Sequence, residues 1–317
     1  MKILYVYNDY GGRRKIYGEI MKEFGHDVKY MEALHKRESD IIKLDKIRNI
    51  NPDIIFVRTP YYVSHKGISD DTMDYIKSKK IPLVLYSTII PQVPYTEQLN
   101  IWEKFDVLFI INKELCNFLQ KNKLNAHYIP LAFHPSQYYK TISNKKYDIS
   151  FMGSALKRCK DKRSKYLKEL VLKGYRSYIA GRFFDNKIPG HNIEIFRGHD
   201  IQRTIYSKTK INLDLPFIDG CSFYKNKYHF KNRFFEIPAT GNFLMSIRCP
   251  EFLDIFPEDT IGYYDDNKES LKENIKKYLR DDVIRNKMAK KAYNLVHEKH
   301  TFKHRFEKIL KILQKSM

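Results

Sequence analysis

The feature that most constrains this chain is an alternation of short apolar runs and helical patterns that passes through the sequence twice. Residues 3–7 form a β-rich apolar run, and Gly11-Gly12 hands over to a helical pattern carrying Ile16, Ile20, Met21 and Phe24. Gly25-His26 stops that helix, and residues 28–31 read as the next strand. A helix near 41–50 ends at Asn51-Pro52, because proline lacks the amide hydrogen needed to continue it. The continuous apolar runs 53–57 and 81–86 are strands of the kind buried on both faces of a parallel sheet. Ser69 caps a helix that runs to about Lys79, and helix 96–104, strand 106–111, helix 113–122 and strand 126–132 complete the first half. Strands with helices between them predict a doubly wound open sheet.

Residues 135–147 lose the periodicity and read as a linker, after which the pattern restarts. Strand 148–152 leads into the Gly153-Ser154 turn and a basic helix over 161–173. Further strands are predicted near 176–180, 193–196, 211–215 and 261–264, and helices at 268–279, 281–297 and 301–315. The expected division is an N-terminal domain over 1–140, a second α/β domain over 141–300, and a C-terminal helix over 301–317 packing back on the first.

Charge narrows the partners. Lys plus Arg total 58 against 37 Asp plus Glu, a net charge of +21 that attracts polyanions: nucleic acid, anionic membrane, or anionic glycans and nucleotides. The four cysteines, Cys116, Cys159, Cys221 and Cys249, have neither zinc-knuckle nor disulfide spacing and read as reduced thiols of a cytoplasmic protein. The apolar start is too short for a signal peptide, and no apolar run reaches the roughly 20 residues needed to span a bilayer. Peripheral contact with the inner membrane face through basic and aromatic side chains stays open.

Chemistry concentrates in residues 231–245, where Lys231, Asn232 and Arg233 open a short segment carrying Glu236, which Gly241 breaks before a buried strand. Cations at the rim of a parallel sheet suit phosphate, and a lone carboxylate suits a ribose hydroxyl pair, so this stretch suggests a nucleoside-diphosphate site. Gly11-Gly12 reads either as a plain turn or as a ligand loop at a helix start. Gly153 and Ser154 repeat that position, with Lys157, Arg158, Lys160, Lys162 and Arg163 crowded behind them. Arg158 and Arg163 are the candidate phosphate ligands, since a guanidinium can grip phosphate through two parallel hydrogen bonds. Residues 223–230 interleave aromatics and cations, a pattern that serves a stacked nucleobase or an inward-packed loop equally. The pairs Asp70-Asp71, Asp265-Asp266 and Asp281-Asp282 sit at helix starts and read as caps, and His297 with His300 lacks the partners for zinc.

The run from Asp148 through Gly153-Ser154, the basic residues after it, and Lys231-Asn232-Arg233 through Glu236 to Gly241 resembles the C-terminal half of CgeB-like and group-1 glycosyltransferases, and the tail from Ile261 to Phe306 is similar to that family's ending. The resemblance covers roughly 148–310, and the first half shares only the architecture. It implies a GT-B fold, with two Rossmann-like domains facing across a cleft and the donor held by the second. By position it implies Glu236 on the donor ribose, Arg158 on a donor phosphate, and Arg233 with the Gly241 turn in the donor wall. In many group-1 enzymes a second glutamate precedes the ribose ligand by eight positions; here that position is Tyr228, which leaves the stereochemistry open. Such folds usually work without a bound metal, matching the absence of an Asp-x-Asp motif, and no cofactor beyond the donor is implied.

The expected function is a hexosyltransferase moving a sugar from a UDP- or GDP-linked donor to an acceptor hydroxyl, with a surface or lipid-linked glycan as acceptor. Arg158 and Arg233 would stabilise the departing diphosphate, and Asp9 is the candidate base, with His65 and His134 as alternatives. The competing readings are transfer onto modified DNA bases, a nucleotide-sugar epimerase of the same fold, and a non-catalytic basic protein binding nucleic acid.

Overall fold

The computed structural model describes all residues except 8–14, 34–41, 59–67, 89–93, 155–161, 182–197, 218–227 and 317. The chain divides into two units, Met1–Pro130 with Phe302–Met317, and Leu131–Thr301. In the first unit β1 (Lys2–Tyr7), α1 (Lys15–Glu23), β2 (Asp27–Glu32), α2 (Leu44–Ile50), β3 (Ile54–Arg58), α3 (Asp70–Ser78) and β4 (Leu83–Ser87) follow one another. A 3-10 turn (Tyr95–Gln98) runs into α4 (Leu99–Trp102), and β5 (Val107–Ile110), α5 (Lys113–Lys121) and β6 (Ala126–Tyr128) follow. The six strands lie in the order β2-β1-β3-β4-β5-β6, and every pair is parallel.

Strand alternation gives this sheet two different faces. Leu4, Val6, Ile55, Val57, Leu83 and Leu85 build an aliphatic core on one side. The other side is aromatic: Tyr5, Phe56 and Tyr86 meet Tyr17 of α1 and the C-terminal helix (Phe302–Ser316). Phe306 lies with its ring 6.0 Å from Phe56 and 5.6 Å from Tyr17, and Phe302 is 4.7 Å from Tyr17. Ser69 caps α3 and Asn112 caps α5 through side-chain oxygens that accept from Thr72 N and Leu115 N, as their residue types dictate.

The second unit repeats the pattern with β7 (Tyr147–Met152), α6 (Lys162–Leu172), β8 (Ser177–Ala180), α7 (His199–Ser207), β9 (Thr209–Leu213) and α8 (Arg233–Ala239). Then come β10 (Leu244–Ile247), α9 (Pro250–Leu253), β11 (Gly262–Tyr264), α10 (Lys268–Arg280) and α11 (Asp282–Lys299). Its five strands run parallel in the order β11-β10-β9-β7-β8. Both halves are thus the doubly wound sheets expected from the alternation. The strand expected at 193–196 lies outside the described residues.

The stretch read as a linker is instead a strap fastened to the second unit. Tyr138 is buried and its hydroxyl donates to Gln202 Oε1 at 2.6 Å. Lys145 Nζ donates to Ser207 O, Thr209 O and Asn242 Oδ1, each at 2.9 Å. Burial pulls the Lys145 pKa down to about 8. Its polar composition hid anchors that work singly, without the periodicity by which regular elements are read.

Candidate functional site

In an open parallel sheet, ligands bind beyond the carboxyl ends of the strands, where the chain order reverses. In the second sheet the chain goes from β7 outward to β8 and returns to β9 on the other side, so the crevice opens between β7 and β9. Gly153 directly follows β7 there, and Asp214 directly follows β9.

Arg233, the first residue of α8, joins these two strand ends. Its Nε donates to Asp214 Oδ1 at 2.5 Å, its Nη1 to Met152 O at 3.3 Å, and its guanidinium lies 5.0 Å from the Phe151 ring centre. Asp214 is fully buried, and Ser246 Oγ lies 3.5 Å from its other carboxylate oxygen. A buried guanidinium–carboxylate pair of this kind fixes a cation in place rather than leaving it free to swing. Among the described residues the buried Nη2 atom has no hydrogen-bond partner. Gly153 gives this cation its room: a Cβ there would lie 2.8 Å from Arg233 Nη1. Gly181, after β8, comes closer still, since a Cβ on it would lie 1.9 Å from Gly153 O.

Glu236 follows Arg233 by three residues on α8, so both project from one side of the helix start, and Glu236 is buried. Lys231 Nζ contacts His229 Nε2. Burial, then the charges of Lys231, Arg163 and Arg233, hold the His229 pKa far below its ordinary value, so this imidazole is neutral. Asn232 is the exposed residue preceding α8, and its side chain makes no capping bond.

Several expected ligands have other work. Arg163 is buried, and its guanidinium donates to Ser154 O at 2.7 Å, Leu215 O at 2.9 Å and Phe217 O at 2.7 Å. It is a clamp between the loops after β7 and β9, not an open phosphate ligand, because burial directs its donors to backbone carbonyls. Tyr228 donates to Asp266 Oδ2 at 2.6 Å, and burial followed by that bond raises its pKa. Asp266 also accepts from Tyr166 at 2.9 Å and Lys162 at 2.9 Å, so it is a node of the rim rather than a helix cap; Asn267 caps α10 instead. Burial alone would raise the Asp266 pKa, but its bonds from Tyr228, Lys162 and Tyr166 bring it below the ordinary range. Gly241 departs from the expected donor wall. It adopts φ +71° in the turn entering β10, at the amino edge of the strands, with α8 between it and Arg233.

Asp9, Gly11, Gly12, Arg158 and His65 lie outside the described residues. His134 belongs to the second unit and contacts Ser136 Oγ through Nδ1 at 2.8 Å. Asp214 was missed by sequence reasoning; the one signal was a carboxylate within the strand expected over 211–215. Cys116 and Cys249 are buried, and burial pushes both thiols up to about 11, which leaves them unreactive at neutral pH. Among the described residues no group of three or more His, Cys, Asp or Glu is placed to hold a metal ion, and no helix is long and apolar enough to cross a membrane.

Residues 162–311 match the protein family described as glycosyl transferase-like. No curated protein matches the chain in sequence. Sucrose-phosphate synthase from Thermosynechococcus elongatus superposes with a TM-score of 0.70 at 11% identity, over 99% of this chain and 98% of that one. HepE of Anabaena, solved in complex with UDP, gives 0.67 at 9% identity over 99% and 100%. The UDP-GlcNAc 2-epimerase of Neisseria meningitidis, bound to UDP-GlcNAc, gives 0.56 at 13% identity over 99% and 100%. With its two parallel-sheet α/β units, the chain has the GT-B fold, and the part of it that matches the glycosyl transferase-like family begins at α6 of the second unit.

Proposed function

We propose that the protein is a glycosyltransferase that takes a sugar from a nucleoside-diphosphate donor held on the carboxyl rim of the second sheet. The observation that carries this reading is Arg233: a guanidinium fixed by Asp214 at the β7–β9 crevice, beside Gly153, with the buried Nη2 donor unpartnered. The family match over 162–311 and the UDP found with HepE support it.

In the reaction, the bond from the anomeric carbon to the terminal phosphate oxygen breaks as a bond to the acceptor oxygen forms. The acceptor's proton passes to a base, and negative charge grows on the departing diphosphate. Arg233 is held where it can meet that charge without reorganising, the condition under which electrostatic stabilisation is largest. Arg158 is assigned as a second phosphate cation, Glu236 as the ribose ligand and Asp9 as the base. The rim cations supply the charge stabilisation, so no metal or further cofactor is assigned. The acceptor is assigned to surface glycan synthesis at the cytoplasmic membrane face, where the +21 charge favours anionic surroundings.

Calorimetric titration with UDP, GDP and TDP tests the donor site. Binding of one nucleotide is expected, weakened at least tenfold by Glu236→Ala. Failure of all three to bind the wild type would sink the proposal, and unchanged affinity in the variant would remove the ribose assignment. The epimerase reading keeps one point in its favour, the fold shared with the Neisseria enzyme. Isomerised UDP-sugar formed without acceptor in an NMR time course would decide for it.

A further inference from the structure

The first sheet carries a counterpart of Arg233 that the donor reading does not use. Its order reverses between β1 and β3, and Arg58 is the last residue of β3, paired in register with Tyr7. The Arg58 guanidinium lies 4.0 Å from the centre of the Tyr17 ring, and its Nη2 lies 3.1 Å from the Tyr17 hydroxyl. Among the described residues its Nε and Nη1 atoms are buried without hydrogen-bond partners, as is the hydroxyl of Tyr86 nearby, and the Tyr5 hydroxyl interacts with the same guanidinium. Burying such donors without partners is costly, and more so where the group is charged. Burial would lower the Arg58 pKa, but Tyr17, Tyr5 and Tyr86 hold it above its ordinary value, so the side chain stays a cation. Among the described residues no carboxylate forms an ion pair with it, and its partners are phenols.

A buried cation is retained where an anion completes it. Arg233 and Arg58 share a pattern: each sits at the reversal point of its own sheet, over an aromatic ring, with guanidinium nitrogens unsatisfied. We propose that Arg58 anchors a second anion site, on the first unit, and that it grips an oxyanion carried by the acceptor, a phosphate monoester or a carboxylate. That the oxyanion belongs to the acceptor rests on the proposed transfer reaction; the anion site stands on Arg58 itself.

The full chain, saturated with UDP to occupy the second-unit rim, is titrated by calorimetry with inorganic phosphate and with acetate. One site is expected for at least one of these anions, and the tighter of the two names the acceptor's group. Arg58→Gln should weaken it at least tenfold, and so should Arg58→Lys, which keeps the charge but loses the planar fork. UDP affinity should not change in either. Tyr17→Phe, which removes the hydroxyl beside Nη2, should weaken the anion several-fold and decides the matter if the Arg58 variants do not fold. Absence of binding by both anions to the wild type, or affinity unchanged by these substitutions, overturns the proposal. If UDP does not bind, the same titrations on an Arg233→Gln background still read Arg58, so the donor reading and this one fail separately.

Discussion

Arg233 and Arg163 show how little a basic residue's type says about its task. Both are arginines of the second-unit rim, yet Arg163 donates to three backbone carbonyls while Arg233 keeps one buried nitrogen open. The sequence marked Arg163 as a phosphate ligand and Arg233 as a rim cation for the departing diphosphate. Only the positions of the carbonyls separate them, because hydrogen-bond partners come from segments distant in sequence, such as Leu215 and Phe217 for Arg163. Asp214 escaped notice for the same reason: its role lies in its distance to Arg233, 19 residues away in the chain. The residue most open to test is Gly153. Gly153→Ala should push the Arg233 guanidinium away from the strand end, since the new Cβ would lie 2.8 Å from Nη1. UDP affinity is expected to fall about tenfold, the equivalent of about 1.4 kcal/mol, with the circular dichroism spectrum unchanged.

At the level of elements, periodicity located most helices and strands, and what it left out was where each element docks. The C-terminal helix illustrates this. Its apolar residues Phe302, Phe306, Ile309 and Leu313 recur at helical spacing, which predicts one buried stripe. That the stripe meets the aromatic face of the first sheet, against Tyr17, Phe56 and Tyr86, is decided by contacts spanning most of the chain. Phe306 is fully buried there. Phe306→Ala should cost about 3–5 kcal/mol, the usual range for deleting a buried aromatic ring. In a urea titration followed by fluorescence and circular dichroism the loss should fall on the transition of the first unit. A loss under 1 kcal/mol would mean that the helix does not stabilise the unit it packs on. The strap over 131–146 makes the complementary point, since Tyr138 and Lys145 fasten it without any periodic signal.

At the scale of the whole molecule, pH acts where the fold pairs a carboxylate with donors. In the second unit Asp266 ties the end of β11 to Tyr228 and to Tyr166 and Lys162 of α6, and its folded pKa lies below the unfolded value. A depressed carboxyl contributes stability that is fully present above its unfolded pKa of about 4 and is lost as pH falls through the folded value. The second unit should therefore weaken below about pH 4, and Asp266→Asn should flatten that dependence while lowering stability at neutral pH. Thermal unfolding followed from pH 7 to pH 3 checks this, and an identical pH slope in the variant would remove Asp266 from the account. By itself the sequence determined the two doubly wound halves and the basic character, and it singled out the segment 231–236 as the candidate stretch. Those follow from local periodicity, composition and turn chemistry, which a linear chain displays openly. Tertiary structure alone decided that Arg163 is spent on backbone carbonyls, that Asp214 fixes Arg233, that Gly241 lies at the opposite edge, and that Arg58 ends β3 among tyrosines. Those facts depend on which strand ends become neighbours, and neighbours in a parallel sheet are set by crossovers that the order of residues does not spell out.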